Sequence, residues 1–246
     1  MIKRIFILWF QGMENAPYVV KKCVESWKYY NPNWDVRILH ENNLHKYINI
    51  QRIKCKKISL SDLSEIIKVM VLHKYGGLWC DANLLCNKSL DEWLYDYVHD
   101  DFFALRRSIG NNRTLCSSFL YARKDSYILE KMYKKILLNG DVNYYLNKKF
   151  SIKDVFINLY NIDRTLRTLW ENVPHYYETN ISNKNSYSPM YKLDYKMDEP
   201  TLCSNNMKYF LYKTTVSDKN ISITKNPVYN YVILKTSTKK WNAIYF

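Results

Sequence analysis

Along the first part of the chain, hydrophobic positions fall into two regimes, unbroken runs and helical stripes. Ile5, Phe6, Ile7, Leu8 and Trp9 form a continuous apolar run, the pattern of a strand buried on both faces. Asn15 stands where it would cap a helix with Pro17 in its first turn. Val20, Cys23, Val24 and Trp27 then line one helical face, and Asn31-Pro32 stops it. Trp34 to Leu39 alternates as a second strand. Strand, helix and strand of these lengths make a βαβ unit and predict a parallel sheet.

From Ser61 to Tyr75 the periodicity predicts the clearest helix of the chain. Leu63, Ile66, Ile67, Met70 and Val71 share one face, and Gly76-Gly77 ends it. Leu78-Trp79-Cys80 reads as a short buried strand terminating at Asp81. Leu115 to Ala122 reads as a further strand and Asp125 to Leu138 as a helix. Tyr176 to Tyr191, rich in Asn and Ser, reads as a loop. With no internal repeat and no Pro- or Gly-rich linker, the expectation is one α/β domain over residues 1–246. Its sheet is expected to be mainly parallel, and its last third, from about residue 197 to 246, less regular.

Composition narrows the class. Hydrophobic residues make up 47% and aromatics 16% of 246 residues, enough for a packed core, which excludes a disordered chain. The net charge of +14 suits phosphate-bearing ligands, anionic lipid or nucleic acid without choosing among them. Six cysteines at 23, 55, 80, 86, 116 and 203 form no CxxC pair, which argues against zinc. The apolar stretch at the start is about six residues, too short for a signal peptide core, and nothing approaches the ~18 apolar residues of a membrane span. A reduced, cytosolic protein is expected.

The segment that carries chemistry is Ser64-Glu65-Ile66-Ile67-Lys68 through YGGLWCDAN at 75–83. A helix ends on two glycines, and a short strand delivers an acidic residue at its carboxyl end, where open α/β sheets bind ligands. YGGLWCDAN resembles the YGG-aromatic-x-D-x-D/T segment of DXD-type sugar transferases of glycosyltransferase family 32, and most resembles the bacterial capsular polysaccharide synthesis branch. Ser64, Glu65 and Lys68 lie seventeen to thirteen residues before Asp81, at the positions of that family's Ser-Asp-x-x-Arg. ILWFQG near the start, ESWKYYNPNW, FLYA (119–122), DVF (154–156) and SPMYKLDYK (188–196) match further blocks in order.

The resemblance implies a nucleotide-sugar-binding GT-A fold, and glycosyl transfer from a nucleotide-diphosphate sugar, UDP in the first instance, with retention at the anomeric carbon. It implies that Asp81 contacts the donor directly or through Mn²⁺ or Mg²⁺ and that Asn83, in place of a second acid, offers only a neutral carbonyl ligand. Asp81, Asn83 and Asp154 are the candidate catalytic residues. Trp9 would stack on the base beside Gln11, Glu65 would accept from sugar hydroxyls, Lys68 would neutralise oxygen charge, and Trp79 matches an aromatic near the donor. Lys239 and Trp241 match a loosely aligned C-terminal block, where Lys235, Lys239 and Lys240 stand in place of metal ligands. By pattern alone, Trp9 and Trp79 equally read as core, Glu65 and Lys68 as a solvated i, i+3 pair, Asp154 as a helix-start residue, and His73 and His175 as structural or exposed.

The expected acceptor is a surface glycan or lipid-linked glycan, reached by peripheral contact with an anionic membrane. Two other classes compete: a non-catalytic relative that binds nucleotide sugars, and a basic nucleic-acid-binding protein, for which no recognised motif is present.

Overall fold

The computed structural model describes residues 1–50, 53, 58–98, 101–108, 111–137, 151–175, 190–192 and 211–213. The apolar run becomes β1 (Arg4–Leu8), with Ile5, Phe6 and Ile7 wholly buried. Its burial on both faces follows from its place inside a five-stranded sheet. The order is β2 (Asp35–Leu39), β1, β3 (Gly77–Cys80), β6 (Asn111–Ala122), β5 (Phe102–Ser108). β1 pairs in parallel with β2, Ile5 opposite Val36, and with β3, Phe6 opposite Trp79. β6 runs antiparallel to both β3 and β5. Four strands therefore share one direction, and the hairpin partner β6 reverses between β3 and β5. A second sheet sets β4 (Leu84–Cys86) antiparallel to β8 (Leu211–Lys213), which pairs in parallel with β7 (Met190–Lys192).

α1 (Tyr18–Tyr30) buries Val20, Cys23, Val24 and Trp27 as the stripe predicts. Its N-cap, however, is Pro17, with no side-chain cap bond. Asn15 sits two residues too early, in a 3-10 turn, and spends its amide on the Gln11 carbonyl at 2.9 Å. Asn31 ends the helix: its amide donates to the Trp27 carbonyl, and its side-chain oxygen accepts from the Leu90 amide at 2.7 Å. α2 (Leu60–Tyr75) is capped by Ser59, whose hydroxyl accepts from the Asp62 amide.

Gly76 and Gly77, at φ of 63° and 107°, turn α2 directly into β3. A Cβ on Gly76 would meet Ile2 Cδ1 and the Lys124 amide nitrogen at 2.8 Å. One on Gly77 would meet the Arg4 carbonyl oxygen at 2.7 Å. Only glycine tolerates both the backbone geometry and the contact.

α3 (Leu94–Tyr97) precedes the β5–β6 hairpin, and α4 (Tyr127–Leu137), α5 (Ile152–Ile162) and α6 (Arg164–Asn172) follow it. α4 packs on α2, and α5 on β6. Arg106 of β5 is fully buried. Its guanidinium donates to the Trp170 and Val173 carbonyls and lies 4.4 Å from the Trp170 ring centroid, joining the hairpin to the end of α6. The DVF block falls on α5 and FLYA on β6. Of the stretch 176–191 read as a loop, Met190 and Tyr191 lie in β7, and the rest falls outside the described residues. Among those residues no helix is long and apolar enough to cross a membrane. Cys23, Cys80, Cys86 and Cys116 are buried free thiols, and burial pushes the Cys86 thiol up to about 12.

Candidate active site

The carboxyl ends of β1, β2 and β3 lie along one edge of the sheet, and the acidic segment leaves the sheet there. Asp81 follows β3. Its amide donates to the Ser118 carbonyl at 2.9 Å, and its carbonyl accepts from the Leu84 amide at 2.9 Å. The four residues Asp81 to Leu84 thus close a β-turn, with Asn83 in its third position. Trp79 Nε1 donates to Asp81 Oδ1 at 3.1 Å. Lys68 Nζ lies 3.4 Å from the same oxygen.

Lys68 comes from the side of α2 opposite the apolar stripe, yet none of its side chain is exposed. The reason is β6, which passes over that side of the helix. Lys68 Nζ donates to the Ser117 carbonyl at 2.7 Å and to Glu65 Oε1 at 2.8 Å, and stands 5.4 Å from the Trp79 ring centroid. The ammonium therefore faces three oxygen acceptors within the protein. The Ser117 hydroxyl also donates to Glu65 Oε1 at 3.4 Å. Burial works to lower the Lys68 pKa, but the charges of Asp81 and Glu65 outweigh it and hold the pKa above the ordinary lysine value. Glu65 and Asp81 keep 21% and 28% of their side chains exposed. The cluster thus presents two partly open carboxylates on one buried cation, with a net charge of −1.

Two expected roles change on this geometry. Lys68 is enclosed, and its ammonium is taken up by the Ser117 carbonyl, Glu65 and Asp81. The pair Glu65–Lys68 is likewise not a solvated i, i+3 pair. Trp79 is 1% exposed, so it offers no open ring face. Its contribution to the site is the indole N–H that fixes Asp81.

Trp9 lies just beyond β1 on the same sheet edge. Its amide donates to the Leu39 carbonyl at 3.0 Å, and its carbonyl accepts from Gly12, where φ is 81°. The ring is half-buried against the core, and its enclosed Nε1 has no hydrogen-bond partner among the described residues. Gln11 is exposed in the same turn. Asp154 does not join the Lys68 cluster; it is an exposed first-turn residue of α5, beyond the Ser151 cap, where a carboxylate complements the helix dipole. His73 pairs with Glu130 and stacks on Tyr133, and His175 is exposed. Lys235, Lys239, Lys240 and Trp241 fall outside the described residues. Ser117 and Ser118, which hold Lys68 and Asp81, carry no sequence signal because they act mainly through backbone carbonyls.

Asp81 and Asn83 are oxygen donors of the type that Mg²⁺ and Mn²⁺ accept, and such ions are commonly held by one or two carboxylates plus substrate phosphates. Among the described residues no group of three or more His, Cys, Asp or Glu could hold a metal. A cation at this edge would therefore rest on one carboxylate, one amide carbonyl and whatever the substrate supplies.

The curated glycosyltransferase afumC of Aspergillus fumigatus is 24% identical over 155 residues, 52% of this chain and 38% of that protein. A probable glycosyltransferase, FCK3 of Fusarium pseudograminearum, is 22% identical over 151 residues, 55% and 38% of the two chains. The chain thus spans less than two-fifths of the length of these relatives. Among solved structures, the glycosyltransferase GlyE of Streptococcus pneumoniae superposes with a TM-score of 0.50 at 11% identity, over 96% of this chain and 60% of that one. The likeness is one of fold, and it bears out the GT-A α/β architecture with its mostly parallel central sheet. The family described as capsular polysaccharide synthesis protein matches residues 1–232, a span that takes in β1, the Glu65–Lys68–Asp81 cluster and the β5–β6 hairpin alike. The chain belongs to that family.

Proposed function

We propose that the chain is a glycosyltransferase that moves a sugar from a nucleotide diphosphate, UDP in the first instance, to a surface glycan, with retention at the anomeric carbon. The observation that carries this reading is a fixed carboxylate at the ligand-binding edge of the sheet. Asp81 is held by Trp79, by Lys68 and through the Ser118 carbonyl, on the edge that also bears Trp9. A group fixed before a ligand arrives spares the cost of ordering it on binding. Asp81 and Glu65 would accept from donor hydroxyls. Trp9 would meet the base with its ring or with its indole N–H.

Asp81 and Asn83 would hold Mn²⁺ or Mg²⁺, which when bound would neutralise the departing diphosphate. Lys68 offsets one of the two carboxylate charges, so the site is less negative than one built on two free acids. No side chain is assigned as a general base, because in a retaining transfer of this kind the departing phosphate oxygen itself takes the acceptor proton. Asp154, Lys239 and Trp241 stay candidates for acceptor or donor contact. The acceptor is proposed to be a glycan on a lipid diphosphate at an anionic membrane surface, towards which the +14 charge draws the chain. Nucleic acid is not proposed as a partner.

Incubation with a panel of nucleotide sugars, read by thermal shift and by release of nucleotide, tests the reading. A donor at 100 times its Kd should add about 2.7 kcal/mol of stability. Stabilisation with turnover supports transfer. Stabilisation without turnover in the presence of acceptor favours the binding-only relative that Asn83 keeps in view. No stabilisation by any member of the panel overturns the proposal.

A further inference from the structure

We infer that the outer corner formed by α4, α5 and the start of α6 is a docking face for an anionic lipid bilayer, with Ile162 as its apolar insert. Ile162, the last residue of α5, is 69% exposed, the highest value among the exposed large hydrophobic residues described. It borders a hollow of about 520 Å³ lined by Lys131, Lys134 and Lys135 of α4, Leu159 of α5, Asp163 and Arg164. Arg167 closes the corner, bonding the Tyr160 and Asn161 carbonyls beside Ile162.

The acids of this face are already engaged. Asp163 accepts from the Leu166 amide and from Tyr127 Oη and pairs with Lys131 at 2.9 Å. Glu130 pairs with Lys134 at 2.7 Å and with His73. Glu171 accepts from Tyr160 Oη beside Arg167, so five cations face three acids among the described residues and the corner stays positive. A single bare aliphatic side chain ringed by lysine and arginine suits the bilayer interface: the aliphatic group enters the acyl boundary and the cations meet lipid phosphates. A protein partner would call for a broader apolar patch. The inference locates the membrane contact proposed above, but it is tested by binding alone, so loss of transfer and loss of docking are told apart.

The test is co-sedimentation of the full chain, at low and high salt, with vesicles of phosphatidylcholine alone or with phosphatidylglycerol added. The parent should bind the anionic vesicles at low salt and release them at high salt. Each lysine or arginine near an anionic surface is worth about a fivefold change in partition, so Lys134→Gln with Arg164→Gln should weaken binding about 25-fold. Ile162→Gln alone should weaken it about tenfold. Lys28→Gln with Lys46→Gln removes the same charge from other exposed positions and should weaken it less than threefold. Thermal melts of each variant check folding, and Ile162→Gln and Arg164→Gln are each read singly should the double variant not fold. Equal losses in the face and control pairs, parent-like binding of Ile162→Gln, equal binding to neutral vesicles, or binding to heparin without binding to vesicles would each overturn the assignment.

Discussion

Lys68 Nζ and Asp81 Oδ1 lie 3.4 Å apart although thirteen residues separate them in sequence, and the lysine has no exposed side-chain surface. The contact ties a helix to the turn that follows the next strand. Its charge balance depends on both Glu65 and Asp81, since together they keep the buried ammonium protonated. A raised lysine pKa stabilises the fold fully below the ordinary lysine value, and the contribution is lost as pH climbs through the folded value. The Lys68 ammonium therefore contributes evenly across neutrality, and its contribution falls away in alkali.

Lys68→Met should destabilise the protein by about 2–4 kcal/mol, towards the low side of the cost of breaking a buried ion pair because both carboxylates stay partly exposed. Urea denaturation at pH 7 measures it. A parent-like midpoint would mean that the carboxylates do not need the lysine.

Asp81→Ala should abolish transfer with the fold intact, the lost charged contacts being worth on the order of 1.5–3 kcal/mol each. Trp79→Phe keeps most of the buried ring but removes the N–H that fixes Asp81, so it should lower kcat/KM about tenfold while Asp81 is still present. Steady-state kinetics on both variants, with a thermal melt as control, separates the carboxylate from its positioning. Parent-like turnover by Asp81→Ala would remove Asp81 from the site.

Trp9→Ala should weaken UDP binding by about 1–3 kcal/mol if the ring stacks on the base. A core role would instead cost roughly 3–5 kcal/mol of stability with UDP affinity unchanged. Trp9→Phe sharpens the comparison, because it deletes an indole N–H that has no partner among the described residues. It should leave stability unchanged or raise it, and should weaken UDP only if that N–H meets the ligand. Calorimetric titration and melting of the same samples give both quantities.

Asn83→Asp should tighten activation by Mn²⁺, since a second carboxylate raises the charge of the donor set. The midpoint of Mn²⁺ titration after chelation is the readout. Lys239→Ala in parallel asks whether a C-terminal lysine supplies part of the neutralisation. If chelation leaves the parent active and Lys239→Ala then inactivates it, lysine stands in for the metal; full dependence of the parent on Mn²⁺ excludes that substitution.

Asp163→Asn should flatten the acid limb of the stability profile. Burial pulls the Asp163 carboxyl up, but the Leu166 amide, Lys131 and Tyr127 outweigh it and hold it below the usual value. A lowered carboxylate stabilises the fold above its unfolded pKa of about 3.9 and loses that contribution as pH falls through the folded value. Parent and variant melting temperatures should therefore differ at pH 7 and converge as pH falls below the ordinary carboxylate range. A constant gap across that range would show that Asp163 acts only through neutral hydrogen bonds.

The βαβ start, α2, β3 and β6 were legible because their apolar residues fall in unbroken runs, in alternation or in a helical stripe. β5 was missed: it opens apolar, but Arg106 breaks the pattern, and its burial rests on Trp170, 64 residues away. α6 was missed because only Leu166 and Trp170 of its nine residues are buried, too sparse a stripe to read. In the site, the acidic turn and its spacing to Glu65 and Lys68 could be read directly. The enclosure of Lys68 could not, since β6 provides it from far along the chain, and neither could the carbonyls of Ser117 and Ser118.

The glycine pair between α2 and β3 has a metrical consequence. From Lys68 to Gly76 the helix descends eight residues at about 1.5 Å each, roughly 12 Å. From Gly77 to Asp81 the strand climbs four residues at about 3.3 Å, roughly 13 Å. The two legs of this hairpin are nearly isometric, so the side chains at their far ends meet. One extra residue in the helical leg would swing Lys68 by about 100°, and one in the strand would turn the Asp81 side chain to the other side of the sheet. The interval of thirteen residues is thus a length, and an insertion or deletion in either leg would part Lys68 from Asp81.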